Sequence, residues 1–296
     1  MVLQPRFQAR KSKIPVNYFS ENNRLQEKVS ILITAYQAQD FLVDTLNSIK
    51  AQTYTNYDVW IAVDACQDTL NTIQAIRDNY QFKITVMYFK INYGTFVLRN
   101  TLMKYCDNSN MFLLDADDKL LPECLEMIMG ADLEYEIIRF KFKNFKGADN
   151  INRFPAFGVF FLTKNAYKIS GGFLNWKCAA DSEFHYRMSN AKIKQLSIDK
   201  VLFMRRVHQK SLTQDRNTGM GSFMRIEYQN KARDNMHKGL VKIKGKVIKN
   251  FSIYPSNKPY TYIPPLNSLS WFSPQSLLSL LHKGYNDLFA SKKSIK

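Results

Sequence analysis

Three carboxylates crowd into four residues where Met111-Phe112-Leu113-Leu114 runs into Asp115-Ala116-Asp117-Asp118. An apolar run ending in acid reads as a buried strand that delivers charge to the edge of a sheet. Carboxylates this close repel one another, so the arrangement costs stability unless a cation neutralises it. Hard oxygen ligands favour Mg²⁺ or Mn²⁺, and such ions typically bridge to the phosphates of a nucleotide. A plainer reading stands beside this one: Asp118 to Pro122 also has the composition of a solvated turn that starts a helix.

The elements around this cluster alternate. Val29 to Thr34, Val59 to Val63, Lys83 to Phe89 and Met111 to Leu114 are short and nearly all apolar, as buried strands are. Between them, Asp40 to Lys50, Asp68 to Tyr80 and Phe96 to Tyr105 carry apolar residues at helical spacing. Strand and helix in turn predict an α/β fold with a mostly parallel central sheet flanked by helices. Ligands of such sheets bind beyond the carboxyl ends of the strands. Thr34-Ala35-Tyr36, Asp64, Asn92-Tyr93-Gly94 and Asp115 to Asp118 all fall there.

Further on, Ile137 to Phe145, Gly158 to Thr163 and part of Ile193 to Arg206 read as strands, with Asp181 to Met188 as a helix. Ser222 to Lys238 reads as a helix and Tyr254 to Pro265 as irregular. Ser273 to Phe289 has the leucines of an amphipathic helix.

Charge is unevenly spread. The 296 residues carry a net +17, but residues 29–138 sum to −8, residues 1–28 to +4 and residues 139–296 to +21. The expected organisation is an N-terminal arm over 1–28, a domain over 29–211 and a basic C-terminal extension over 212–296. A basic surface suits an anionic partner such as nucleic acid, acidic phospholipid or a charged glycan. Cys66, Cys106, Cys124 and Cys178 form no CxxC pair, so neither a zinc site nor a disulfide framework is indicated. No stretch approaches the roughly 18–20 uninterrupted apolar residues that span a bilayer. With no signal peptide in residues 1–28, the expected location is the cytoplasm, or a membrane surface as the alternative.

Taken in order, the landmark residues resemble a known family. Ile33-Thr34-Ala35-Tyr36, Asp64, Asn92-x-Gly94 leading to Arg99-Asn100, and Leu114-Asp115-Ala116-Asp117-Asp118 resemble family 2 glycosyltransferases of the GT-A fold. Gly171-Gly172-Phe173, Ala180-Asp181-Ser182-Glu183 and Arg205 to His208 continue the match, which covers about residues 28–212. The resemblance implies a metal-dependent, inverting transfer of sugar from a nucleotide diphosphate sugar, a UDP-sugar first among these, to an acceptor hydroxyl. On that basis residues 29–138 are the nucleotide-sugar and metal half and residues 139–211 the acceptor half.

The resemblance also assigns roles. Thr34, Ala35 and Tyr36 would line the nucleotide pocket, and Asp64 would hold the base or its ribose. Gly94 would let the backbone approach closely, and Arg99 would stand near the acidic cluster or the diphosphate. Asp115 would face the ribose or a metal-bound water. Asp117 would bind Mn²⁺ or Mg²⁺, and His208 the metal or the diphosphate. Asp181 would be the base that deprotonates the acceptor, where the family usually has Glu-Asp; Glu183 is the expected stand-in for the missing acid. The alternative for Asp181 is an N-cap of its helix. Trp176 and Lys177 would bind the acceptor, although a tryptophan there also suits a core.

The size of the basic charge and the interleaved aromatics Phe140, Phe142, Phe145 and Tyr228 turn the expectation toward DNA, as in a phage-type enzyme that glycosylates a hydroxymethylated base. The alternative is a peripheral enzyme of polysaccharide or lipopolysaccharide synthesis docked on acidic lipid. A non-catalytic nucleic-acid-binding module is a third reading, and the presence of Asp115, Asp117, Asp181 and His208 argues against it.

Overall fold

A computed structural model describes residues 20–145 and 155–256. The segment expected as helix over 273–289, and all but the start of 254–265, lie outside the described residues. The strands are β1 (Val29–Ala35), β2 (Tyr57–Asp64), β3 (Ile84–Phe89), β4 (Asn110–Asp115), β5 (Lys119–Leu120), β6 (Ile137–Phe145), β7 (Phe160–Thr163), β8 (Gln195–Arg206) and β9 (Ser252–Pro255). The helices are α1 (Leu42–Lys50), α2 (Gln67–Ile76), α3 (Thr95–Tyr105), α4 (Cys124–Met129), α5 (Lys164–Ser170), α6 (Ala180–Asn190) and α7 (Phe223–His237).

One sheet runs in the order β5-β8-β6-β7-β4-β1-β2-β3-β9. Strands β3, β2, β1 and β4 are mutually parallel, as are β6 and β8, while β5, β7 and β9 run antiparallel to their neighbours. The period-two geometry of β1 explains its all-apolar sequence. Val29, Ile31 and Ile33 face one core with Leu42, Leu46 and Ile49 of α1, and Leu32 faces the other with Leu98 and Leu102 of α3.

Chain order departs from spatial order beside β1: β2 lies on one side and β4 on the other. That switch point opens a crevice at the carboxyl ends, where Thr34 is in register with Asp115.

Helix α3 is buried on every side from Phe96 to Met103, Arg99, Asn100 and Thr101 included. The sheet covers one flank. The other is crossed by the chain after α7, where Ile243 N–H donates to Ser170 O, Gly245 N–H to Gly171 O and Ile248 N–H to Thr101 Oγ1. That path ends in β9 on the β3 edge, so Tyr254 and Pro255, expected in an irregular segment, extend the sheet. At the other end, Arg24 is buried and donates to the carbonyls of Asp132, Leu133 and Tyr135.

Candidate active site

The acidic turn after β4 divides by burial. Asp118 points inward, 2% exposed, and its Oδ1 accepts the Arg206 N–H at 2.9 Å. Arg206 extends the staple, donating from Nε to Asp117 O (2.9 Å) and from Nη2 to Asp44 Oδ2 (2.8 Å). Burial, then the charges of Asp117 and Asp115, push the Asp118 carboxyl well above the usual range. Lys119 and Leu120 continue as β5, and α4 starts only at Cys124 without a side-chain cap, so this turn does not cap a helix.

Asp115 and Asp117 keep their side chains toward the crevice. Asp115 accepts Arg99 Nη2 at 2.5 Å, and the guanidinium is itself buried against Phe96 and Phe173. Asp117 Oδ2 lies 2.8 Å from His208 Nε2, where β8 has just ended. Burial and Asp115 raise the Asp117 carboxyl, and His208 draws it back.

Asp181 reaches the same crevice from the first turn of α6, which the chain enters through Ala179 at φ +61°. Its Oδ1 accepts the N–H of its neighbour Ser182 at 2.9 Å, and Ala179 occupies the N-cap position, so Asp181 is not the cap. Burial raises its carboxyl above the usual range, with Arg99, the Ser182 amide and Arg225 opposing. Gly158 shows how these groups converge. A methyl group on its Cα would stand 3.7 Å from Asp115 Oδ2, 3.7 Å from Asp181 Oδ2 and 3.8 Å from Arg99 Nη1. Its backbone lies outside the positive-φ region, so it leaves room here rather than relieving a strained turn.

Of the residues expected to line a nucleotide, Ala35 is buried and Tyr36 stands 53% exposed. Thr34 Oγ1 shares a 2.7 Å hydrogen bond with Thr95 Oγ1. Asp64 is turned into the fold, accepting the amides of Tyr93 (2.8 Å) and Gly94 (2.9 Å). It therefore sets the loop that opens α3. Gly94 sits there at φ +83° with open space where a Cβ would be.

Of the residues expected to bind an acceptor, Trp176 stacks on Tyr228 of α7, centroids 4.8 Å apart at 10°, so one face of the indole is covered. Lys177 beside it is exposed. Glu183 does not stand in for the missing acid: fully buried, it pairs with Arg187 at 2.8 Å, one turn along α6. Arg187 also donates to Ser170 O and Gly172 O, so the pair braces the glycine turn instead of facing the crevice.

Two residues of this site carry no signal in the sequence. Gly158 reads only as the start of a strand, which the structure begins at Phe160. Arg225 is one of many basic residues in its region, yet it is 8% exposed, hydrogen-bonded to Thr218 O, and acts on Asp181.

The donor set suits a divalent ion in part. Among the described residues no three His, Cys, Asp or Glu side chains gather as a cage. Asp117 and His208 do stand as adjacent oxygen and nitrogen donors, with Oδ2 and Nε2 2.8 Å apart. An ion of the Mg²⁺ type commonly takes only one or two protein ligands and completes its shell with phosphate and water. Asp117 fits that pattern, while the imidazole of His208 is a ligand better suited to softer ions than Mg²⁺.

Comparison with known proteins agrees with this geometry. Residues 30–178 match the model of glycosyl transferase family 2. The teichuronic acid biosynthesis glycosyltransferase TuaG of Bacillus subtilis is 29% identical over 98 residues, 33% of this chain and 39% of TuaG. The Escherichia coli UDP-Glc:alpha-D-GlcNAc-diphosphoundecaprenol beta-1,3-glucosyltransferase WfgD is 27% identical over 122 residues, 41% of this chain and 47% of WfgD. The matched stretch thus spans less than half the length of either relative. Among solved structures, S. aureus TarS 1-349 in complex with UDP superposes with a TM-score of 0.54 at 18% identity, covering 62% of this chain and 61% of that one. The mannosyltransferase PcManGT from Pyrobaculum calidifontis, in complex with GDP-Man and Mn2+, gives 0.55 at 11% identity over 74% and 73%. These likenesses identify the architecture as the GT-A fold. Since the matched stretch runs from β1 to the turn before α6 and includes Asp64, Arg99, Asp115 and Asp117, the chain belongs to glycosyl transferase family 2.

Proposed function

We propose that this protein transfers a sugar from a nucleotide diphosphate sugar, with inversion, to a hydroxyl of a lipid-linked or polysaccharide acceptor. The observation that carries the proposal is the convergence of Asp115, Arg99 and Asp181 on the position a side chain at Gly158 would take. Asp115 belongs to the strand-end cluster where the donor would lie, and Asp181 to a separate helix on the acceptor side. Inversion in one displacement places the leaving group on one face of the sugar and the activated hydroxyl on the other.

Asp181 takes the proton of the acceptor hydroxyl as the hydroxyl oxygen attacks the anomeric carbon and the nucleoside diphosphate leaves. Burial raises its carboxyl above the usual range, which strengthens it as a base. Arg99 fixes Asp115 and adds positive charge to the floor of the site. Asp117 and His208 would hold Mn²⁺ or Mg²⁺, which supplies Lewis-acid stabilisation of the leaving diphosphate. Thr34, Ala35, Tyr36 and the Asp64-braced loop at Tyr93-Gly94 would line the nucleotide.

The relatives' names bear on the acceptor. Teichuronic acid and a diphosphoundecaprenol-linked sugar favour a polysaccharide or lipid-linked intermediate over the DNA base that the basic charge and interleaved aromatics favoured. The described residues hold no helix long and apolar enough to cross a membrane. A peripheral location on an acidic membrane is the reading consistent with such an acceptor.

The test is release of UDP from UDP-Glc and UDP-GlcNAc by the full chain with Mn²⁺, with and without a polyprenyl-diphosphate-linked sugar. The expected result is acceptor-stimulated release that Asp181→Asn lowers by roughly 10²–10⁴-fold. No release with any nucleotide sugar would leave the non-catalytic reading standing.

A further inference from the structure

The turn leading into α7 exposes large apolar side chains beside the site. Phe223 is 83% exposed, Met220 72%, Ile226 46% and Leu212 44%. Met220 N–H donates to Thr213 O at 2.9 Å, which folds the chain after Leu212 back onto Met220. Ser222 caps α7 through the Arg225 amide, and Phe223 and Ile226 follow at helical i, i+3 spacing on its outer side. Between them Arg225 turns inward to Thr218 O and the surroundings of Asp181. One helical turn therefore offers apolar groups to the outside and a cation to the site.

Exposed apolar side chains clustered in this way mark contact with another apolar phase. The charge around them selects which one. From Val207 to Ser256 ten Lys/Arg stand against three Asp/Glu. Among the acids, Asp215 is taken up by the Asn217 and Thr218 amides and Glu227 by Lys231. Arg216 lies within the turn itself. Lys177 projects next to Trp176, which stacks on α7. Exposed apolar groups in a basic field suit contact with the headgroups of an anionic bilayer.

We infer that the surface carrying Met220, Phe223 and Ile226 seats the protein on an anionic lipid bilayer. In that seat Arg225 and Asp181 stand over the headgroups of the membrane that holds a lipid-linked acceptor. This orientation rests on the acceptor class proposed above; the bilayer contact itself does not.

The experiment is co-sedimentation of the full chain with phosphatidylcholine vesicles, with and without about 30% phosphatidylglycerol, over a salt series. The wild type is expected to bind the anionic vesicles. Met220→Ser/Phe223→Ser is expected to weaken that binding tenfold or more while leaving UDP release from the nucleotide sugar unchanged. An unchanged partition of the double variant overturns the inference, as does wild-type protein that stays in the supernatant. A DNA duplex bound by the wild type and lost by the same double variant, without vesicle binding, would give this face to nucleic acid and also overturn it. Vesicle binding with no sugar transfer at all would keep the docking surface and sink the proposed function, so the two fail separately.

Discussion

Asp115 and Asp181, sixty-six residues apart in the chain, each bring a carboxylate oxygen to within 3.7 Å of one point, the position a methyl on Gly158 would occupy. Placing two acids there while Arg99 sits 3.8 Å from the same point defines a small polar chamber with a glycine wall.

That wall should be sensitive to size in activity and not in stability. Gly158→Ala meets only ordinary van der Waals contacts and no positive-φ strain, so its melting temperature should stay near that of the wild type. Transfer should fall by about one to two orders of magnitude because the reacting groups lose their space, and Gly158→Val should fall further. Steady-state kinetics beside thermal denaturation checks this; an Ala variant with full activity would contradict the chamber.

The raised Asp181 carboxyl ties activity and stability to pH in opposite senses. The base works only when ionised, so kcat/KM should fall with decreasing pH through a value above the ordinary carboxylate range. The folded state holds this proton more tightly than the unfolded chain does. Ionisation therefore costs stability once the pH rises past the unfolded value of about 3.9. Asp181→Asn removes that cost and keeps an acceptor for the Ser182 amide. Its melting temperature should equal or exceed the wild type's at neutral pH, with the advantage gone in acid, while transfer is lost.

Asp117 and Asp118 are neighbours that should fail differently. Asp117→Ala should abolish transfer, or raise the Mn²⁺ needed for it, with little change in melting, and EDTA should silence the wild type. Asp118→Ala strands the buried Arg206 N–H and should cost about 1–3 kcal/mol in denaturant titration. Asp118→Asn, which keeps the acceptor oxygen, should restore most of that.

Glu183 should behave as a structural residue. Removing it leaves Arg187 buried without its counter-charge, a loss of about 3–5 kcal/mol. If Glu183→Gln keeps the fold at low temperature, its pH–rate profile should coincide with the wild type's. A shifted profile would return Glu183 to the chemistry.

Much of the fold was legible because its signals are local. The buried parallel strands β1 to β4 and the amphipathic α1 and α2 announce themselves by period and composition. So do the acids at the strand ends, since a strand's carboxyl end is a position in sequence as well as in space. Mixed strand direction was less legible: β7 and β9 are short, and their orientation depends on partners far along the chain.

The residue types at Asp115, Asp117, Asp181 and His208 were set by the sequence alone, as were the landmarks around them. Tertiary structure decided which acids remain available. Asp118 and Glu183 read like their neighbours, yet each is spent on a buried partner, Arg206 and Arg187, that only folding brings within reach. Gly158 and Arg225 acquire meaning only in three dimensions. Empty space and the approach of a charge are properties of distance, and the spacing of residues along a chain does not encode distance across a crevice.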